Sequence, residues 1–334
     1  MEDIIRTLTE VYGPSGAEGR VRALIEGLLA GHVDEVRSDA LGNLIALRRA
    51  TSGQPAGRLM LAAHTDEIGL IVSYIDKKGF ARFHAVGGVW PATLIGGRVV
   101  FENGTVGVIG VETADLSGDD LPEMEKLFID VGATAPDNSP VRVGDVAGFQ
   151  RGFVAQGTRW ICKAMDDRAG CAVLIQMLRD LRQSVYDVYA VFTSQEEVGL
   201  RGAATSAFGI EPDIAIALDV CGTGDTPESR KLAVELGKGP AIAIKDGGMI
   251  THVGLRRHLV DVAKAGGIPY QLEVSDRGTT DARAIQTTRA GVPTGLISIP
   301  CRYIHTPSEM IDAGDCRAAV DLLLRAVQQP MQFD

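Results

Sequence analysis

Long hydrophobic runs are missing from this sequence. No stretch approaches the ~18 uncharged apolar residues that a membrane-spanning helix needs. The first residues, Met1-Glu2-Asp3-Ile4-Ile5-Arg6, put acids where a secretory signal needs a basic patch and an apolar core, so a cytoplasmic protein is expected. Cysteine is scarce too. Cys162, Cys171, Cys221, Cys301 and Cys316 are odd in number and include no Cys-x-x-Cys pair, which excludes a disulfide framework and a structural zinc knuckle. Buried free thiols are expected instead. Positive charge is in deficit: 33 Lys and Arg against 43 Asp and Glu leave a formal charge of −10, so the basic footprint of a nucleic-acid binder is absent. Several catalytic signatures are lacking as well. There is no phosphate-binding Gly-x-x-x-x-Gly-Lys loop, no Gly-x-Ser-x-Gly elbow and no His-Glu-x-x-His helix. Gly222-Thr223-Gly224 ends a strand-like run, but Pro227 stands where a dinucleotide site wants its third glycine.

What is present is an ordinary globular composition, 45% hydrophobic and 23% charged, in 334 residues, enough for roughly two domains. Val21, Leu24, Ile25, Leu28 and Leu29 recur at helical spacing, and strand-length apolar runs follow at 44–47 and 59–63. From about residue 68 to 160 the pattern changes to short β-rich pieces at 70–75, 98–101, 105–110 and 127–131, with Asn103-Gly104 as a strong hairpin signal. One short helical stretch is expected near 121–126. From 161 onward, strands at 188–192, 214–218, 241–244 and 295–299 alternate with helices, the first of them amphipathic over 167–182. The expected fold is α/β, a mixed sheet flanked by helices over 1–67 and 161–334, with a small β-barrel-like domain inserted at 68–160.

The chemistry-bearing residues cluster around these strands. His64 and Asp66 follow the run 59–63, Asp166 and Asp167 precede the amphipathic helix, and Glu196 and Glu197 follow 188–192. Asp219 ends 214–218, and His305 lies just after 295–299. Ligands of open α/β sheets collect beyond the carboxyl ends of the strands, so residues spread over the chain can converge there. Taken singly, an Asp at a strand end is usually a turn or cap residue, and an acidic pair usually starts a helix. Taken together, imidazoles and carboxylates make a donor set for paired divalent metals, with no thiolate required. A two-metal site polarises a carbonyl and activates water, and a neighbouring carboxylate serves as general base. By this reading the chain is a metallohydrolase.

The sequence also resembles the M42 family of dinuclear metallo-aminopeptidases. The segments that carry the likeness include Tyr12-Gly13-Pro14-Ser15-Gly16, Asp39-Ala40-Leu41-Gly42-Asn43, Ala63-His64-Thr65-Asp66-Glu67 and Lys163-Ala164-Met165-Asp166-Asp167. Further on come Gln195-Glu196-Glu197-Val198-Gly199, Gly278-Thr279-Thr280-Asp281 and Arg302-Tyr303-Ile304-His305. The resemblance implies a zinc-exopeptidase-like catalytic domain in which His64 and Asp219 bind metal, Asp166 bridges two ions, and Glu197 and His305 complete the second. It implies Glu196 as general base, Asp66 as the hydrogen-bond partner of the far His64 nitrogen, and a cis peptide between Asp166 and Asp167. Gly278, Thr279, Asp281 and Arg302 are expected to shape the substrate pocket. Two ions per subunit, zinc, cobalt or manganese, would serve hydrolysis of the first bond of short peptides. The insertion would pair subunits into a homodimer that builds a tetrahedral dodecamer. Thr65, Trp90, Thr280 and the surroundings of Asp219 depart from the commonest family pattern, which bears on substrate preference. Competing readings are a metal-dependent amidohydrolase acting on a small acylated metabolite, a non-catalytic assembly protein that kept the fold, and a glycoside hydrolase using paired carboxylates.

Overall fold

A computed structural model describes residues 1–112, 123–229 and 231–331. Its larger part is an eleven-stranded mixed sheet. Four adjacent parallel strands form the centre, in the order Asp187–Thr193, Arg58–His64, Ile214–Gly222 and Thr294–Arg302. Antiparallel strands extend it on both sides: Leu44–Arg48 and Glu35–Ser38 beyond Asp187–Thr193, and Glu309–Asp312, Arg159–Cys162 and Val154–Gln156 beyond Thr294–Arg302. Ala241–Lys245 pairs antiparallel with the middle of Thr294–Arg302, at Ile297 and Ser298, and carries Gln271–Val274 on its other edge.

The central strands read as continuous apolar runs because helices cover both of their faces. Side chains of a strand alternate in direction. Accordingly Leu59, Leu61 and Ala63 pack in one core with the helices Glu2–Glu10, Gly19–Leu29, Met165–Asp180, Val253–Gly266 and Ala313–Ala326. Met60 and Ala62 pack on the opposite side with Arg201–Ile210 and Asp281–Gln286. The helix expected at 167–182 is therefore present, shifted to Met165–Asp180, with non-helical backbone at Asp166 and Asp167 and a cis peptide between them. The five cysteines are free and buried. Among the described residues no helix is long and apolar enough to cross a membrane.

The second part is a closed six-stranded barrel, ordered Gly69–Ile75, Ala81–Val86, Leu127–Asp130, Val106–Val111, Arg98–Phe101 and Val146–Phe149. Closure leaves no unpaired edge among these strands and surrounds a core of Leu70, Phe83, Val99, Ile109, Ile129 and Phe149. The barrel strands end at Phe149, earlier than the domain boundary read from sequence. Val154–Gln156 and Arg159–Cys162 are β-rich and so resemble barrel strands in composition, yet they extend the large sheet. Of the helical stretch expected at 121–126, Leu121 and Pro122 lie outside the described residues, and Met124–Lys126 forms one 3₁₀ turn.

Candidate functional site

At the carboxyl ends of the central strands, two imidazoles face one carboxylate. His64 closes its strand, and its Nε2 lies 2.9 Å from Asp166 Oδ1 and 3.9 Å from Asp219 Oδ1. His305 Nε2 lies 3.3 Å from Asp166 Oδ2 and 3.3 Å from Glu197 Oε2. Each oxygen of Asp166 thus serves a different histidine. His64, Asp166 and Asp219 are almost fully buried, and Glu197 is partly so.

The backbone around these groups is fixed by further carboxylates. Asp66 Oδ1 accepts from the Glu196 N–H at 3.0 Å, and Oδ2 accepts from the Glu197 N–H at 3.2 Å and from Ser15 Oγ at 2.6 Å. Towards His64 it is the Asp66 carbonyl that stands nearer, 3.1 Å from Nδ1, with the carboxylate at 3.5 Å. Glu309 does similar work on the other side: Oε2 accepts from the Asp166 N–H at 3.0 Å and Oε1 from the His305 N–H at 2.9 Å. Behind the site, Glu67 takes both Lys163 Nζ contacts at 2.8 and 2.7 Å and lies 3.6 Å from Arg168. Arg168 is wholly buried and donates to the carbonyls of Leu8, Gly13 and Thr65, so one cation ties three segments together.

Glu309, Glu67, Lys163 and Arg168 escaped the strand-end reasoning. Glu309 opens a short antiparallel strand paired on both sides, and its partners are main-chain N–H groups 143 and 4 residues away, which leave no side-chain pattern in the sequence. Of the pocket residues named from sequence, Gly278 and Thr279 line the cavity in front of the histidines. Asp281 instead sits buried behind the site, accepting from Thr193 Oγ1. Arg302 turns to Asp225, which holds its guanidinium through Nε at 3.0 Å and Nη2 at 2.7 Å, so it does not line the cavity.

The electrostatics are those of crowded acids. Burial pushes the carboxyl of Asp219 well above its usual range, and the charges of Asp166 and Asp167 add to the push. Burial likewise raises Glu196, with Asp281, Glu197 and Asp166 reinforcing it against His64. Burial opposes a charged His305, but hydrogen bonds to Asp166 and Glu197 outweigh it and lift the imidazole to about 11. Asp167 Oδ2 is buried with no hydrogen-bond partner. Such a cluster has more negative charge than its two histidines balance, and divalent cations are the counter-charge that would relieve it. Ligand atoms of His64, Asp166 and Glu197 lie within 4.8 Å of one another, and so do those of His64, Asp167 and Asp219. Imidazole nitrogen with carboxylate oxygen suits zinc and its first-row neighbours, so these residues fit a metal site.

The barrel reaches this site through Gly87-Gly88. A Cβ on Gly88 would fall 2.6 Å from His305 Nδ1, and one on Gly87 would fall 3.0 Å from Glu197 Oε2. Only glycine allows the loop to close on both side chains.

Comparison with known proteins agrees with this architecture. The family model described as M42 glutamyl aminopeptidase matches residues 42–322. The lysyl aminopeptidase of Pyrococcus furiosus is 36% identical over 99% of this chain and 98% of its own. The solved aminopeptidase APDkam598 from Desulfurococcus kamchatkensis is 42% identical, covers 98% of this chain and 94% of its own, and superposes with a TM-score of 0.93. The TET1 peptidase of Pyrococcus horikoshii, which can assemble into a tetrahedron or a large octahedral shell, is 32% identical, with coverage of 98% and 99% and a TM-score of 0.86. The match spans the sheet, the barrel and all the strand-end residues, and on it the chain belongs to the M42 peptidase family and is a peptide-hydrolysing enzyme.

Proposed function

We propose that the chain is a dinuclear metal-dependent aminopeptidase that removes the N-terminal residue of short peptides. The observation that carries this reading is Asp166 standing between two imidazoles, one oxygen towards each. His64 with Asp219, and His305 with Glu197, would hold two divalent cations of the zinc, cobalt or manganese type, with Asp166 common to both. Bound there, the cations would supply Lewis acidity that polarises a peptide carbonyl, lowers the pKa of water and accepts the lone pair of a neutral α-amino group.

The chain's own residues do the rest. Glu196 lines the cavity, and among the described residues none donates a hydrogen bond to its carboxylate, so that carboxylate is available to take a proton from the attacking water. It then returns the proton to the leaving amine. Asp66 is a positioning residue, since it holds the Glu196 and Glu197 N–H groups rather than touching substrate. Glu309 positions Asp166 and His305 in the same way. Gly278 and Thr279, which line the cavity, would form part of the substrate wall, whereas Asp281 and Arg302 do not line it. The barrel would pair subunits, consistent with its exposed Tyr74, Val106, Val108 and Val143, in a homo-oligomer built like the tetrahedral shell of the Pyrococcus horikoshii relative.

The test is hydrolysis of aminoacyl chromogenic amides by metal-stripped protein with zinc or cobalt restored, beside the Glu196→Gln variant. Release from free-amine substrates that needs metal and is lost in the variant is the expected result. Cleavage of N-acylated substrates alone would shift the assignment to a small-amide hydrolase.

A further inference from the structure

The cavity in front of the histidines, about 510 Å³, also carries two acids that the proposed chemistry leaves unused, Asp246 and Glu273. They come from neighbouring parallel strands. Asp246 directly follows Ala241–Lys245, and Glu273 lies opposite Ala243 on Gln271–Val274. Ser298 Oγ donates to Glu273 Oε2 at 2.8 Å, and Ser298 is the register partner of Asp219 on the next strand. Glu273 is therefore linked through one serine to the strand position that bears a proposed metal ligand.

Asp246 is 5% exposed. Its Oδ1 caps the turn, accepting from the N–H groups of Gly248 at 2.6 Å and Met249 at 2.5 Å. Its Oδ2 is buried and has no hydrogen-bond partner. Among the described residues neither Asp246 nor Glu273 forms an ion pair. The adjacent ammonium of Lys245 donates to the carbonyls of Asp246 and Ser275, and Arg277 stands exposed at the rim. Val220, Leu296 and Ile304 supply apolar wall, and an adjoining cavity of about 330 Å³ shares Glu273 and adds Leu232 and Val234.

An apolar wall with buried acids is complementary to a long aliphatic stem that ends in a cation. We propose that Asp246 and Glu273 form a specificity subsite for a cationic side chain, so that the enzyme removes N-terminal lysine and arginine in preference to neutral or acidic residues. This inference rests on the aminopeptidase reading above. A neutral side chain would leave the buried Asp246 Oδ2 unpaired, and an acidic one would bring like charge beside Glu273; both discriminate against the wrong residue.

The experiment compares L-lysine with L-norleucine, which has the same stem without the ammonium group, by calorimetric binding to the metal-loaded enzyme. Lysine is expected to bind at least tenfold more tightly, and the ratio to fall several-fold in Glu273→Gln. Asp246→Asn, which keeps the acceptor that caps the turn, serves as a second variant and is expected to lower the ratio as well. Equal binding of the two amino acids, or a ratio unchanged in both variants, would overturn the subsite. Hydrolysis of lysyl, leucyl and glutamyl amides separates this proposal from the one beneath it. Lysine-selective binding without cleavage of any free-amine amide would refute the aminopeptidase reading and leave the subsite standing. Cleavage of leucyl or glutamyl amides faster than lysyl would refute the subsite and leave the aminopeptidase.

Discussion

The sheet domain and the barrel solve opposite problems. Among the described residues, every buried polar or charged side chain lies outside the barrel, from Thr9 to Glu67 and from Lys163 onward. The barrel's buried core is wholly apolar. Buried charges cost stability unless each is paired, so the sheet domain carries a penalty that its packed parallel strands and helices must offset. The barrel carries none, and it approaches the chemistry where Gly87-Gly88 meets Glu197 and His305. The contrast separates the part that stores reactive groups from the part that is built to hold its shape.

Substitutions can break that contrast or sharpen it. The largest effect is expected from Glu196→Gln, which should lower kcat on aminoacyl amides by about a thousandfold while the thermal midpoint stays in place. Glu67→Ala should do the reverse. It strands Lys163 and Arg168 without their counter-charge, and a loss of about 3–5 kcal/mol is expected in denaturant unfolding. Ile129→Ala in the barrel should cost about 2–5 kcal/mol, while kcat of the folded fraction remains near wild type. If kcat instead fell with barrel stability, the division between the two regions would not hold.

Gly88→Ala probes the place where the insertion meets a histidine of the site. The new methyl must displace His305, and a loss of about ten- to a hundredfold in kcat/KM is expected with little change in unfolding. The smallest effect concerns pH. Burial lifts Glu273 to about 7, opposed by hydrogen bonding to Ser298 and Cys221 and reinforced by the charge of Asp246. A carboxyl with a raised pKa gains its charge only as pH climbs through that value. Discrimination for lysine over norleucine should therefore rise a few-fold between about pH 6 and pH 8, with Asp246 and the rim Arg277 as the neighbouring charges, and flatten in Glu273→Gln.

Much of this was legible in the sequence, for a physical reason. Parallel strands buried on both faces leave long apolar runs, and whatever follows each run must stand at the same edge of the sheet. That rule brought His64, Glu196, Glu197, Asp219 and His305 to one place, and the structure sets them there together with Asp166, which the sequence pattern offered only as the start of a helix. It failed for groups whose partners are main chain. Glu309 looks like any acid at the start of a strand, and Asp225 gives no sign that it will claim Arg302. Strand composition also could not show which sheet a strand joins, which is why Val154–Gln156 read as part of the insertion.

The central claim is that the histidine–carboxylate cluster binds two cations on which hydrolysis depends. Elemental analysis of exhaustively dialysed protein after zinc or cobalt loading tests it directly. Two ions per chain are predicted in the wild type and in Glu196→Gln, whose altered group is the proposed proton carrier, and fewer in Asp166→Asn, which alters the ligand proposed to be common to both. Hydrolysis should track the ion count in the wild type. Full metal content in Asp166→Asn, or undiminished hydrolysis by metal-free protein, would contradict the account.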